Sequence, residues 1–287
     1  MKYVMSGKDR LMKLSGLFVV FTLVLLSAPD RIRAGVLEGT IKIGGTGGAI
    51  GAMKELAAAF QKKHPSVRID IISHLGTRGG INAVLEGAID IGLAGRHLGP
   101  EELSMGLKEV EYAKSPFVFV TAESGKGKNL TLEMIVRIYR GDIRKWPDGT
   151  PIRLILRTDG DVDTIMLKGI SHDMREAVEK AEAREGMTIA MDDQENSDLV
   201  EKLKGSFGTS TLTQIISEKR AFTVLPLNGI TPDIGAMVAG SYPYYKIFVM
   251  VMGPKSSPIS RDFVAFVRSP EGKRILTRTG NYVTQGR

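Results

Sequence analysis

Glycine, threonine and arginine recur in two short segments near the start of the chain. The first segment is Gly45-Thr46-Gly47-Gly48, and the second is Gly76-Thr77-Arg78-Gly79-Gly80. Each follows a short apolar run typical of a strand and precedes apolar residues at helical spacing. A glycine-rich turn between a strand and a helix leaves backbone N–H groups free at the positive end of the helix dipole, which attracts anions.

The other residue types in these turns also suit an oxyanion. The hydroxyls of Thr46 and Thr77 can donate hydrogen bonds, and Arg78 adds a fixed positive charge. A single turn of this kind would be explained by the ordinary preferences of tight turns and helix N-caps. For two such turns with an arginine, about thirty residues apart, we favour the interpretation that both converge on one small oxyanion.

Residues 1–34 have the composition of a secretory signal peptide. A basic start is followed by a mostly apolar run at residues 14–28, which is too short to span a bilayer comfortably. Because Pro29 disfavours cleavage after Ala28, we predict cleavage after Ala34; an uncleaved N-terminal anchor is the alternative. The chain has no cysteine, which excludes disulfides and a lipid anchor through cysteine. These features predict a mature protein in a bacterial periplasm.

The charge neither demands nor excludes nucleic-acid binding, and the motif content argues against catalysis. The net charge is +7, but residues 1–34 carry six Lys/Arg and two Asp/Glu, so the rest is near +3 without a sustained basic stripe. The four histidines are scattered, and the zincin, nucleophile-elbow and P-loop motifs are all missing from the sequence. We therefore predict no nucleic-acid partner, no enzyme activity, no catalytic residue, no metal site and no cofactor.

The hydrophobic pattern predicts an α/β protein. Strands at 41–43, 67–72 and 89–94 alternate with helical segments, which indicates a mostly parallel sheet with its ligand beyond the carboxyl ends of the strands. Later segments predict strands at 112–121, 152–156 and 245–252, a helix capped at Asn196-Ser197-Asp198, and one closing helix at 261–276. A polar, glycine-bearing turn at 123–129 predicts a crossing into a second lobe. We predict a discontinuous lobe 1 (35–121 and 227–287) and a lobe 2 (122–226).

Several segments, in order, resemble the phosphate-binding proteins of bacterial ABC importers, within the type II periplasmic-binding-protein fold. The segments are Gly79-Gly80-Ile81, residues 90–96, residues 138–146, residues 222–230, Tyr242-Pro243, Phe263 with Phe266, Ser269-Pro270-Glu271-Gly272 and Gly280-Asn281-Tyr282-Val283. The resemblance runs from about residue 38 to the C-terminus. It implies two α/β lobes, each a mostly parallel sheet flanked by helices, that close over one dehydrated oxyanion. It also implies delivery to an inner-membrane ABC permease, and we expect a monomer.

The resemblance also implies the site residues. Thr46, Gly47 and Gly48 would form the first anion turn, and Thr77 with Gly79 the second. Arg157, at the end of its strand, would supply a guanidinium that matches a tetrahedral oxyanion. The full set that we predict to bind ligand is Thr46, Gly47, Gly48, Thr77, Arg78, Gly79, Arg96, Arg157 and Thr158.

Two positions depart from the family pattern. Family members follow the arginine with a Ser-Gly-Thr turn, whereas here Asp159, Asp161 and Asp163 follow it. These carboxylates would repel phosphate unless they point away, cap the next helix or pair with arginine; one could also accept a proton from a monoprotonated oxyanion. Arg96 stands where some relatives have a serine or aspartate, and it is either an anion clamp or a surface arginine.

The specificity is accordingly open. Phosphate is the leading ligand, with sulfate, molybdate, tungstate or a phosphorylated small molecule as alternatives. The chain could also be a divergent binding or sensory module that does not take part in transport.

Overall fold

The structure is a computed structural model of the 287-residue chain and describes residues 37–122 and 129–284. The predicted signal peptide lies outside these ranges, as does nearly all of the predicted crossing at 123–129. Within the described ranges, none of the helices has the length and apolar character needed to cross a membrane.

Strands and helices alternate along the chain. The strands are β1 Gly39–Gly45, β2 Val67–Ile72, β3 Ile91–Ala94, β4 Lys108–Thr121, β5 Arg153–Arg157, β6 Thr188–Ala190, β7 Ser206–Thr211, β8 Thr223–Val224, β9 Tyr245–Met252 and β10 Tyr282–Val283. The helices are α1 Ile50–Lys63, α2 Gly76–Leu85, α3 Pro100–Ser104, α4 Leu132–Arg140, α5 Val162–Ile170, α6 His172–Glu182, α7 Asp193–Lys202, α8 Leu212–Glu218, α9 Ile234–Val238, α10 Pro258–Val267 and α11 Pro270–Arg278. The predicted α/β class is confirmed.

The strands form a sheet in the order β2-β1-β3-β9-β4-β7-β5-β6, and β8 and β10 also pair with β4. Parallel pairs lie toward both ends, β1 with β2 and β3, and β5 with β6 and β7. Both glycine-rich turns follow strands of the first parallel group, as predicted. The middle of the sheet is antiparallel, because β9 lies between β3 and β4, and β4 pairs on with β7.

Two large hydrophobic clusters lie along this sheet. The first contains Ile43, Phe60 and Phe248, and the second contains Phe119 and Phe207. Strand β4 contributes to both, because its first part pairs with β9 and its last part with β7. One long strand therefore connects the two cores. The predicted lobe boundaries at 121/122 and 226/227 stay a prediction.

Two predicted helix boundaries were wrong. The closing segment is not one helix but α10 and α11, because the Ser269 hydroxyl accepts a hydrogen bond from the Gly272 N–H (3.2 Å) and Pro270 is the first residue of α11. Ser-Pro starts a helix readily, whereas proline disfavours helical geometry in the residue before it. The predicted cap at 196–198 is also wrong: α7 begins at Asp193, and Asp192 caps it.

Candidate functional site

The first glycine-rich turn lies where β1 ends and α1 begins. The Thr46 N–H donates to the Leu93 carbonyl of β3 at 2.8 Å, and Gly47–Ala49 form a single 3-10 turn. Gly45 has a positive φ of 149°, and a side chain there would overlap the Leu93 backbone. The turn is therefore drawn tightly against β3, with Thr46 and Gly48 buried. We call Thr46-Gly47-Gly48 the anion turn.

The anion turn binds a carboxylate of the chain itself. Asp193 Oδ2 accepts hydrogen bonds from the Gly48 N–H (3.0 Å) and the Thr46 hydroxyl (3.1 Å). Asp193 is the first residue of α7, and its neighbour Gln194 donates from Nε2 to the Gly47 carbonyl at 3.2 Å. The predicted donors of this turn are thus directed at a negative charge, which comes from a residue almost 150 positions away in the sequence.

Arg157 lies at the centre of the charges around the anion turn. At the end of β5, its guanidinium donates from Nη1 to Asp193 Oδ1 (2.9 Å) and from Nη2 to Asp161 (2.8 Å). Asp163 lies 3.7 Å from Nη1, and the Arg157 side chain is only 2% exposed. Arg157, predicted to bind ligand, is thus buried at the end of β5, and its charge is compensated by carboxylates of the protein itself.

A second buried cation completes the group. Lys246 of β9 forms an ion pair with Asp163, and its Nζ lies 3.7 Å from Asp193 Oδ1. Asp163 also accepts a hydrogen bond from the Thr209 hydroxyl at 3.0 Å. Two cations thus face three carboxylates. We call Arg157, Asp161, Asp163, Asp193 and Lys246 the charge cluster.

The charges of the cluster shift each other's pKa values. Burial alone would raise the pKa of Asp193, but Lys246, Arg157 and the Gly48 N–H hold it well below the usual range. Burial alone would lower the pKa values of Arg157 and Lys246, but the carboxylates raise both above their ordinary values. Asp193, Arg157 and Lys246 are therefore all ionised at neutral pH.

The three aspartates after Arg157 have different partners. Asp159 is exposed and pairs with Lys168 at 2.6 Å, away from the cluster. Asp161 caps α5 by accepting from the Asp163 N–H (2.8 Å) and also binds Arg157. Asp163 pairs with Lys246. The sequence left open whether these carboxylates point away, cap the next helix or pair with arginine. In the structure, Asp161 both caps α5 and pairs with Arg157, and Asp159 points away from the cluster.

Asp161 makes the free energy of unfolding depend on pH. Burial, followed by repulsion from Asp163, raises its pKa to about 6, although Arg157 acts in the opposite direction. The unfolded chain has an aspartate pKa of about 3.9. Between pH 4 and 6 the folded state therefore binds more protons, so this group makes the free energy of unfolding fall as the pH rises, by roughly 1–3 kcal/mol.

Urea denaturation of the wild type and Asp161→Asn at pH 4.5 and 6.5 measures this term. We expect the wild type to lose stability relative to Asp161→Asn across that interval, and Asp159→Asn to behave like the wild type. Asparagine can still cap α5. An identical pH dependence in all three proteins would contradict the assignment to Asp161.

The second glycine-rich turn lies beside the charge cluster without joining it. Thr77, in the first turn of α2, is buried, and its hydroxyl oxygen accepts a hydrogen bond from the Gly95 N–H at 3.0 Å. Arg78 is exposed, and Gly79 is half-buried. Thr77, Arg78 and Thr158 line a cavity of about 290 Å³ that Asp161 also borders. The structure thus places these predicted residues around one cavity with Asp161.

Thr77 has a clear structural role in this arrangement. Replacing it with valine keeps the shape and leaves the buried Gly95 N–H without its acceptor, which we expect to lower the free energy of unfolding by about 1–2 kcal/mol. Thr40→Val, on the exposed start of β1, is the matched control and should change stability little. Urea denaturation measures the stability of both variants. If Thr77→Val is as stable as Thr40→Val, the hydrogen bond from the Gly95 N–H to Thr77 does not stabilise the fold.

Arg96 is held away from the cluster. Its guanidinium donates two hydrogen bonds to the Glu102 carboxylate, both at 2.8 Å, and a third to the His97 carbonyl. The hydrogen bond to Glu102 is also the main cause of the raised pKa of Arg96. Of the two roles left open by the sequence, this arrangement is the one expected of a structural arginine near the surface.

Two residues of the charge cluster, Lys246 and Asp193, were not predicted from the sequence as site residues. Lys246 is the only charge in the apolar run of β9, and a lone lysine in a buried strand is a signal that could have been used. Asp193 was hidden because the cap of α7 was placed at 196–198; the Asp192-Asp193 pair ahead of the helical pattern was the available signal. Neither signal by itself identifies the partner residue.

The fold and the anion turn define the class of protein. The chain belongs to the PBP superfamily: the family model of the PBP superfamily domain matches residues 35–271. A candidate phosphate ABC transporter substrate-binding protein from Clostridium perfringens, solved with bound phosphate, superimposes with a TM-score of 0.73. It is 26% identical, and the match covers 86% of this chain and 100% of that one.

Two curated relatives are similar in sequence. The phosphate-binding protein PstS of Borreliella burgdorferi is 22% identical over 256 residues, which cover 85% of this chain and 89% of that protein. The phosphate-binding protein PstS 2 of Streptococcus pneumoniae is 31% identical over 110 residues, or 38% of this chain. That match spans only 37% of the length of the streptococcal protein.

Proposed function

We propose that this protein is an exported solute-binding protein that captures an oxyanion, with phosphate as the leading ligand, and delivers it to an ABC-type permease. The observation that carries the proposal is the anion turn, whose Thr46 hydroxyl and Gly48 N–H, together with Arg157, already hold a carboxylate. Hydrogen-bond donors that fit two carboxylate oxygens also fit two oxygens of a tetrahedral oxyanion. The names of the relatives support phosphate over other anions.

The binding step in this proposal is a hinge closure between two lobes. The first lobe would carry the anion turn and Lys246, and the second Arg157 and Asp193. The separate hydrophobic clusters support two lobes but favour crossings other than the predicted boundaries at 121/122 and 226/227. Phe117 and Phe119 already pack with the second cluster, which supports a first crossing within β4. Tyr242 and Tyr244 also pack with the second cluster, which supports a return crossing just before β9. Closure would bring donors from both lobes onto one anion.

The remaining parts of the proposal follow from the same role. The basic and apolar start of the chain supports export through a cleaved signal peptide to the periplasm, and the mature protein would work as a monomer beside its permease. A binding role without catalysis is supported by the relatives, which are named as binding proteins. A cofactor is not part of this proposal.

Isothermal titration calorimetry of the mature protein, dialysed free of phosphate, tests the proposal. Phosphate, sulfate, molybdate and tungstate are titrated separately, and we expect saturable binding of phosphate with one site per chain. Saturation by another of the four would retain the oxyanion role and replace the ligand. A folded sample that binds none of them would contradict the proposal.

A further inference from the structure

We infer that Asp193 is the resident ligand of the anion turn, so that an external oxyanion can bind only by displacing it. This inference rests on the proposed function, since it concerns the same site. Asp193 is then a specificity-determining residue, because only an anion that binds the turn more strongly than its carboxylate can replace it.

The first reason is that Asp193 uses the donors that an oxyanion would need. One carboxylate oxygen takes the Thr46 hydroxyl and the Gly48 N–H, and the other takes Nη1 of Arg157. Each of these groups has its hydrogen directed at Asp193, at 2.9–3.1 Å. A phosphate oxygen at the turn would require the same hydrogens, so the two ligands exclude each other.

The second reason is the packing of α7 against the turn. A Cβ added at Gly47 would lie 2.6 Å from the Asp193 Cβ, and Thr46 is 2% exposed. The Gln194 amide donates to the Gly47 carbonyl. The start of α7 therefore packs on the turn through Asp193 and Gln194, and the Asp193 carboxylate must move when the turn is uncovered.

The third reason is charge. Arg157 and Lys246 are outnumbered by three carboxylates, so the cluster has a formal net charge of −1. Adding a phosphate dianion to the intact cluster would bring the total to −3 in a buried site, which is strongly unfavourable. Removing Asp193 from the turn takes one negative charge out of the site and frees Arg157 Nη1. Displacement thus removes the competition for the donors and reduces the negative charge of the occupied site from −3 to −2.

This arrangement gives the protein a closed state without ligand. Asp193 links the anion turn to Arg157 as a bound oxyanion would, so the chain satisfies its own donors when no ligand is present. An external anion then competes with a carboxylate that is tethered in place. The apparent affinity for phosphate is reduced by the free energy of that internal contact.

Phosphate affinities of matched variants test the inference. Equilibrium dialysis with radiolabelled phosphate is carried out on the mature wild type, Asp193→Asn, Asp193→Ser and Asp192→Asn, with circular dichroism confirming the fold of each. The control loses the same charge one residue earlier and keeps an N-cap for α7. We expect both Asp193 variants to bind phosphate at least about tenfold more tightly than the wild type. The control should change the affinity by less than about twofold.

The possible outcomes separate the two proposals. Tight binding by the Asp193 variants beside weak or undetectable binding by the wild type and Asp192→Asn supports the inference. If the wild type and both Asp193 variants have the same phosphate affinity, the inference is overturned and the oxyanion role stays intact. Equal gains in the control and the Asp193 variants also overturn it, because a general charge effect would then explain the change. If none of the folded proteins binds phosphate, sulfate, molybdate or tungstate, the oxyanion role and the inference both fail. Asp193→Ser provides the test if the asparagine variant does not fold.

Discussion

Replacing Lys246 with methionine is expected to lower the free energy of unfolding by about 3–5 kcal/mol. The lysine side chain is 2% exposed and neutralises Asp163, whose side chain is equally buried. Methionine fills similar volume but leaves the buried Asp163 carboxylate with Arg157, 3.7 Å away, as its remaining cation within 4 Å in the described part of the chain. Removing one partner of a buried ion pair costs far more than the pair itself contributes.

Urea denaturation at pH 7 measures this loss of stability. A surface control and a double substitution are measured beside Lys246→Met. Lys108→Met removes an exposed lysine from β4, the strand beside β9, and should leave stability within about 0.5 kcal/mol of the wild type. Combining Lys246→Met with Asp163→Asn removes the unpaired charge and should recover part of the loss. A Lys246→Met protein as stable as the wild type would show that Lys246 is not part of a buried ion pair.

Replacing Arg157 with lysine is expected to weaken phosphate binding by about a hundredfold. Lysine keeps the positive charge but loses the planar fork that donates in two directions, here to Asp193 and Asp161. A hydrogen bond to a charged group contributes about 1.5–3 kcal/mol, and the loss of one or two such bonds corresponds to this change in affinity. The variant retains a cation among the three carboxylates, so we expect it to fold.

Calorimetric titration with phosphate measures the effect, and Arg153→Lys is the matched control. Arg153 lies exposed at the other end of β5, so the same substitution there should not change binding. Equal affinities for Arg157→Lys and the wild type would remove Arg157 from the ligand site. A loss in both variants would point to a disturbed β5 instead.

The proposed binding role accounts for the charge cluster better than a contribution to stability does. Burying five charges costs free energy, and a buried ion pair is often no more stabilising than a well-packed apolar group. The donors of Arg157, Thr46 and Gly48 nevertheless converge on one point, where Asp193 accepts from all three. Such convergence is what an anion site needs, and it gives a reason to retain charges that the core itself does not require.

Local patterns were sufficient for most of the fold. Apolar spacing located α1, β2 and β5 within a few residues, because one buried face repeats at helical or strand periodicity. Helix ends were harder: the cap of α7 was predicted at 196–198, four to six residues after the actual cap at Asp192, since Asp192, Asn196 and Asp198 can all act as caps. The split between α10 and α11 has a local signal, since Ser269-Pro270 is a typical helix start.

The candidate site could be predicted only in part. The anion turn follows from a strand, a glycine-rich turn and a helix that are adjacent in the chain, so local reasoning found it. Asp193 and Lys246 reach the turn from α7 and β9, which the tertiary fold brings together and no local pattern pairs. The antiparallel position of β9 in the middle of the sheet is likewise a tertiary property, and it is what places Lys246 beside Asp163.

Crystallography of the mature protein from phosphate-free and phosphate-saturated solutions tests the central claim most directly. Without phosphate, we predict the Asp193 carboxylate on Thr46 and Gly48. With phosphate, we predict a tetrahedral anion on the same two donors and on Arg157, with Asp193 moved off the turn. An Asp193 carboxylate that stays on the turn at saturating phosphate, with no anion bound to Arg157, would contradict the account.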